Sequence, residues 1–269
     1  MRRFNLFELE DQPWLPAAIR NGLTDVLDFT FDRLNFYGGV AERLPAALEA
    51  SGAARIVDLG SGGGGGTLSM RKRLRDAGHA VPIVFTDRFP NEAAIARVQA
   101  LGDPSTTYLA DPVDALTGGG TLEGLRTMSG ALHHFSPFAV RAIVANIVAK
   151  RQPLAFFDVV ASPVIRRAPV VAAPILMAAN MAMLFVTALV LMPWVRPFRL
   201  SRLLLTYVPP VIPLVVAWDG TVSALRAYTP EELLAIARTV PGGQSYEWTA
   251  TSDGRALALT GWPRQRATE

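Results

Sequence analysis

The chain of 269 residues contains no cysteine, which excludes disulfides, thiolate metal sites and a cysteine nucleophile. Histidine is nearly as scarce. Of His79, His133 and His134 only the last two adjoin, and no third histidine or acid stands at ligand spacing from them, so no metal is expected. Charged residues make up 18% of the chain against 50% hydrophobic ones. That mixture is oily for a water-soluble enzyme, so the apolar excess should be concentrated in one region. The net charge of +3 is carried mostly by arginine, yet no basic run is interleaved with aromatics, and nucleic acid is not an expected partner. The N-terminus starts with two arginines but turns acidic at Glu8, Glu10 and Asp11 before any apolar core forms, unlike a secretory signal. There is no internal repeat.

Glycine, by contrast, is abundant in one place. Arg55-Ile-Val-Asp-Leu59 is followed by Gly60, Ser61 and five consecutive glycines, Gly62 to Gly66. The run predicts a buried strand, and the glycines predict a tight turn opening a helix. Positive φ is accessible there, and unpaired N–H groups favour polar or anionic ligand atoms. Two patterns fit the stretch: G-x-G-x-x-G through Gly60, Gly62 and Gly65, and D-x-G-x-G-x-G through Asp58, Gly60, Gly62 and Gly64. A flexible linker is the bland alternative, but linkers do not normally follow a strand.

Beyond this point short apolar runs alternate with helical stretches. Strands are predicted near 82–86, 107–110, 125–131 and 153–160, and helices over 68–77, 91–101 and 137–150. Such βα units imply a parallel sheet with helices on both faces and a ligand outside the carboxyl ends of the strands. Asp58, Asp87, Asp111 and His133 all fall at or just after those ends. Further on, Thr229-Pro-Glu-Glu232 predicts a capped helix start. Segments 245–249 and 256–261 then predict an antiparallel hairpin.

With Asp58 ahead of the glycines, Pro82-Ile-Val-Phe-Thr-Asp87 ending in an acid, and Leu132-His-His-Phe135 after the fourth strand, the chain resembles the class I S-adenosylmethionine-dependent methyltransferases. The likeness covers residues 40–160 and resumes near 225. Asp87 lies 27 positions beyond Gly60, farther than the ~20 usual for the acid of a dinucleotide fold. The resemblance implies an α/β, Rossmann-like, seven-stranded and mostly parallel sheet with a reversed last strand and helices on both faces. A hydrophobic helical insert would stand between the fifth strand and the last helix. It also implies S-adenosyl-L-methionine as cofactor. Gly60, Gly62 and Gly64, with Ser61 in the same turn, would admit its amino acid end, and Asp58 would orient the turn or the ammonium. Asp87 would bind the ribose hydroxyls, Arg88 would flank the adenine, and Asp111 would face the adenine amine, with Asp114 competing for that last role. His133 or His134 would be the general base, or else a structural residue.

Residues 1–50 combine aromatics with helix-like spacing and read as an N-terminal helical cap. In the family resembled, such helices cover the cofactor or build the substrate pocket. Trp14, Arg20 and Tyr37 are therefore candidates for a lid, and ordinary packing is the alternative. Between Arg167 and Arg196 run 28 residues without a charge, and Pro174–Met192 is long enough to cross a hydrocarbon core. A second uncharged run, Leu203–Trp218, is broken by Pro209, Pro210 and Pro213 and suits an interfacial or re-entrant segment. Arg196, Arg199 and Arg202 separate the two, with Trp194 and Trp218 as headgroup-level anchors. A monotopic arrangement with the arginines at phosphate level costs less than burying them in a bilayer. A buried helical subdomain or a dimer contact is the alternative.

The expected organisation is thus a cap at 1–50, a methyltransferase domain at 51–165 and 220–269, and a membrane-associating insert at 166–219. At the junction, Asp219 and Arg226 are expected to pair with each other or, with Tyr228, to hold a lipid head group or substrate. Because the insert leaves the carboxyl end of the fifth strand, membrane contact and active site are expected on one face. The expected function is a membrane-associated methyltransferase, its catalytic domain cytoplasmic, methylating a lipid or other hydrophobic small molecule at oxygen or nitrogen. The alternatives are an NAD(P)-dependent oxidoreductase and a non-catalytic membrane adaptor. The former requires a Tyr/Lys or Ser/Tyr pair near the fourth strand, which the sequence lacks.

Overall fold

The computed structural model describes residues 3, 6–76, 78–161, 169 and 172–264. In chain order the helices are α1 (Ala17–Arg33), α2 (Gly38–Ala41), α3 (Arg43–Ser51), α4 (Gly65–Asp76), α5 (Glu92–Gln99), α6 (Pro137–Ala149), α7 (Ala173–Leu191), α8 (Leu200–Tyr207), α9 (Val211–Arg226) and α10 (Pro230–Thr239). The strands are β1 (Ile56–Leu59), β2 (Ile83–Thr86), β3 (Thr106–Tyr108), β4 (Leu125–Ser129), β5 (Leu154–Val159), β6 (Tyr246–Ser252) and β7 (Ala256–Pro263). The chain divides into two compact units, one made of residues 37–160 and 228–269, the other of 1–36 and 161–227.

The first unit is a seven-stranded sheet in the order β3-β2-β1-β4-β5-β7-β6. All pairs from β3 to β5 are parallel, and only β7 runs against its two neighbours. The expected α/β sheet with a reversed last strand is therefore what forms. Both faces of the central strands are covered, so β1 and β5 are mostly apolar and are buried almost along their whole length. One core joins Val57, Met128, Ile143, Ile147, Phe156, Leu233 and Leu257 across sheet and helices. Three helix starts follow local capping chemistry. Asn91 caps α5, Ser136 caps α6 ahead of Pro137, and Thr229 with Glu232 closes a full capping box on α10. Helix α4 begins at Gly65, earlier than expected, because the glycines themselves form its first turn.

An arginine lies wholly inside this unit. Arg126 on β4 is fully buried and donates to the carbonyls of Gly118, Leu122 and Gly124, closing the loop that precedes its own strand. Burial pushes its pKa down to about 10, which leaves it charged at neutral pH. Replacing Arg126 with methionine leaves three carbonyls without their donor, so we expect a loss of roughly 2–4 kcal/mol in urea unfolding.

The second unit joins the N-terminal segment to the apolar helices. Leu23 and Val26 of α1, Ala188 of α7, and Ile212, Val215 and Val216 of α9 share one core. The first 36 residues thus group with 161–227, and the region expected as a cap is divided at Tyr37. The expected boundary at 165/166 lies outside the described residues. Among the described residues one helix, Ala173–Trp194, is long and apolar enough to cross a membrane; the pair α8 and α9 passes the same test only together, bent by 76°.

Several polar residues of this unit are placed differently from the sequence expectation. Arg202, expected at phosphate level, is buried; it pairs with Asp25 at 2.5 Å and donates to the carbonyls of Val195 and Pro197, because folding the 195–199 turn onto α1 requires that charge inside. Trp218, expected as an anchor, donates its indole N–H to the Phe7 carbonyl. The junction residues each find partners in the N-terminal segment. Arg226 pairs with Glu8 at 3.2 Å and Asp11 at 3.4 Å, while Asp219 accepts from the backbone N–H of Leu9 and Glu10.

Burial raises the pKa of Asp219 to about 6, against the pull of the two amide donors and with the help of nearby Glu10 and Asp11. A folded pKa above the unfolded one means that the neutral form is favoured by the fold. The contribution is therefore present at low pH and lost as pH rises through about 6. We expect the melting midpoint to fall between about pH 4 and pH 6, and the part of that fall due to Asp219 to vanish in the Asp219→Asn variant.

Candidate active site

The carboxyl edge of β1, β2 and β4 is built around Asp58. Strand register sets Asp58 beside Thr127 of β4, whose hydroxyl donates to one carboxylate oxygen at 2.6 Å; the Ser61 hydroxyl donates to the other at 2.7 Å. Burial pushes the Asp58 pKa up, and the Thr127, Ser61 and Thr67 hydroxyls partly offset it. Among the described residues no cation pairs with this carboxylate. It is a buried acid whose partners are hydroxyl groups.

The turn after β1 is held at both ends of one residue. The Gly62 N–H donates to Asp87 at 2.8 Å, and the Gly62 carbonyl accepts from the Tyr108 hydroxyl at 2.9 Å. Ser61 adds a bond in each direction with the Thr86 backbone. Gly60, Gly62 and Gly64 all have positive φ, of 63°, 47° and 79°. This matches the D-x-G-x-G-x-G pattern, since Gly65 already belongs to α4. A Cβ on Gly62 would meet nothing within 4 Å, and on Gly60 only the Ala131 methyl. The turn is thus a pinned, open cradle at a helix start.

Asp87, at the end of β2, orders its carboxylate through the N–H groups of Gly62 and Phe89. Its two oxygens have about four lone-pair directions, so two remain for a vicinal diol. Arg88 is exposed, 3.8 Å from Asp114 and over the Phe89 ring. Asp111 is exposed beyond β3, while Asp114 caps the short helical turn at Ala115–Thr117. Tyr37 is buried, with its ring beside Gly66 and its hydroxyl beside Gly130. Tyr228 is buried in the core and donates to the Phe135 carbonyl, a packing position rather than a surface one. Trp14 belongs to the other unit, where it is exposed; Arg226 is paired there as described.

His133 follows β4 and is buried. Asp158 at the end of β5 holds it twice, accepting from its backbone N–H at 2.6 Å and contacting Nδ1 at 2.7 Å. A carboxylate only accepts, so Nδ1 is the donor, and in the neutral ring Nε2 carries the lone pair. The His134 ring lies 4.3 Å from that of His133, centroid to centroid. Asp158 was not among the residues singled out from the sequence, although its signal was there: it is an acid at a strand end, as Asp58 and Asp87 are. Phe89 and Phe138 also escaped that reading. They are 77% and 82% exposed on the loop after β2 and the first turn of α6, apolar surface on the side where the strands end.

The fold defined by this sheet order and glycine turn is that of the class I S-adenosylmethionine-dependent methyltransferases. Many solved structures share it, among them two that cover nearly the whole of this chain. One is an O-methyltransferase family protein from Burkholderia thailandensis, with a TM-score of 0.51 and 13% identity, covering 89% of this chain and 59% of that one. The other is human N-acetylserotonin methyltransferase in complex with S-adenosylmethionine, with a TM-score of 0.50 and 10% identity, covering 95% and 61%. The chain therefore spans about three fifths of the length of each. No family model and no curated protein matches the sequence.

Proposed function

We propose that this protein is an S-adenosylmethionine-dependent methyltransferase. We infer that it methylates a lipid or other hydrophobic small molecule at oxygen or nitrogen, at a membrane that it reaches through residues 168–218. The observation carrying the first part is the Gly62 turn pinned to Asp87 beside the buried, cation-less Asp58. That set fits the cofactor group by group. Asp87 would take the ribose diol, the Gly60–Gly64 cradle and Asp58 the amino acid end with its ammonium, and Arg88, Asp111 and Asp114 would flank the adenine. The cofactor supplies an electrophilic methyl group on a sulfonium. The protein has then to position the nucleophile, exclude water and take up a proton.

His133 suits the last task, because Asp158 fixes its ring and takes up Nδ1, which makes Nε2 the basic atom of the neutral imidazole. His134 lies beside it as a second candidate. Exposed Phe89 and Phe138 favour an apolar acceptor, and Tyr37 lines the same strand ends. Trp14, Arg226 and Tyr228 remain substrate-side proposals, weakened for the last two by the partners they already have. In this reading the sheet unit lies on the cytoplasmic side, in keeping with the arginines of the insert.

Calorimetric titration of detergent-solubilised protein with S-adenosylmethionine, S-adenosylhomocysteine and NADH tests the cofactor. Binding of the first two is expected. Binding of NADH alone would establish the oxidoreductase alternative, and cofactor binding without turnover on any lipid extract would favour a non-catalytic adaptor.

A further inference from the structure

The helices of the second unit are polar on the wrong side for water. Every exposed residue of α7 is apolar, and they form one stripe along the helix through Ile175, Ala179, Met183, Val186 and Val190. Its two polar side chains are elsewhere: Asn180 donates to Thr221 of α9, and Thr187 is partly covered. Helix α8 is inverted outright. Arg202 and Thr206 are buried, while Leu200, Leu204 and Tyr207 face outward. Between the two helices the turn exposes Trp194 and Phe198 together with Arg196 and Arg199. A helix in contact with water carries its charges outside, and one apolar all round requires an apolar surrounding.

We propose that this face, the α7 stripe and the 194–208 tip, lies flat in the surface of an anionic lipid bilayer, with the axis of α7 parallel to the membrane. This deepens the membrane part of the proposed function and is independent of the cofactor. Charge selects the partner: the tip exposes Arg196 and Arg199, and residues 159–218 contain no acid at all. Aromatic and arginine side chains mixed at the tip suit the headgroup level.

Packing selects the orientation. Helix α9 crosses α7 at its middle, where Asn180 bonds Thr221 at 2.8 Å and a Cβ on Gly220 would meet Leu184 at 2.8 Å. Asp219 is the neighbour of Gly220, with Glu10 and Asp11 close to it. Were α7 to span the bilayer, this acidic cluster would stand at the depth of the hydrocarbon centre, a costly place for it. Lying flat, the unit keeps its charges on the water side and only the stripe in lipid.

The absence of cysteine makes the test direct. Single cysteines at Ile175, Met183 and Val190 would carry nitroxide labels in the full-length protein mixed with vesicles of phosphatidylcholine and phosphatidylglycerol. The expected result is three similar, shallow depths. Val186→Asp with Val190→Asp should weaken vesicle partition by about tenfold or more, and Arg196→Gln by about fivefold on the anionic vesicles alone. A deep label at Met183 with shallow ones at the two ends would overturn the flat orientation in favour of a span. Labels unchanged by vesicles but broadened by one another would overturn the lipid in favour of a second copy of the chain. Titration of S-adenosylmethionine on the same samples reads the cofactor site separately, so the two proposals fail independently.

Discussion

The Asp87→Ala variant should bind S-adenosylmethionine at least ~100-fold more weakly than the native protein, with its secondary structure intact. Hydrogen bonds to a charged group contribute about 1.5–3 kcal/mol each, and Asp87 would make two of them to a ribose diol. The carboxylate has a second task, since it orders Gly62 and Phe89 through their N–H groups, so removing it loosens the cradle as well. The Asp87→Asn variant keeps one acceptor and should lie between the two. Calorimetry measures all three proteins. Equal affinity for the alanine variant and the native protein would mean that the cofactor lies elsewhere or is a different one.

The Asp158→Asn variant should lower methyl transfer by about 10²–10⁴-fold, the range for general base catalysis, while leaving cofactor affinity nearly unchanged. An amide in place of the carboxylate can accept from the His133 backbone but then presents its NH2 to Nδ1. That favours the tautomer with the proton on Nε2, which can no longer accept one. Turnover on the lipid or small-molecule acceptor, followed by release of S-adenosylhomocysteine, gives the rate, and its pH profile should change with it. A rate near the native one would assign the His133–Asp158 pair to structure alone.

The parts of the site legible in the sequence are those whose chemistry is local. Glycines in a turn, an acid closing a strand and a capping box all act within a few residues, so the glycine turn, Asp58 and Asp87 could be marked without knowing the fold. The same holds for the α/β sheet, whose alternation of apolar runs and helical stretches directly reflects coverage on both faces. What escaped was pairing across the sheet. His133 and Asp158 stand 25 residues apart, and only the adjacency of β4 and β5 makes them one unit. Arg202 departs from the sequence expectation for a similar reason: composition shows that it is charged, but not that Asp25, distant in the chain, draws it inside.

By itself, then, the sequence determined the sheet, the glycine cradle with its acids, and the presence of an uncharged region needing explanation, because backbone conformation and periodic burial are written in short windows. Tertiary structure alone decided which polar groups meet, which arginines are buried and which side of α7 and α8 faces outward. Those outcomes depend on contacts between distant segments, where the low cost of closing a long loop lets many partners compete and only packing selects among them.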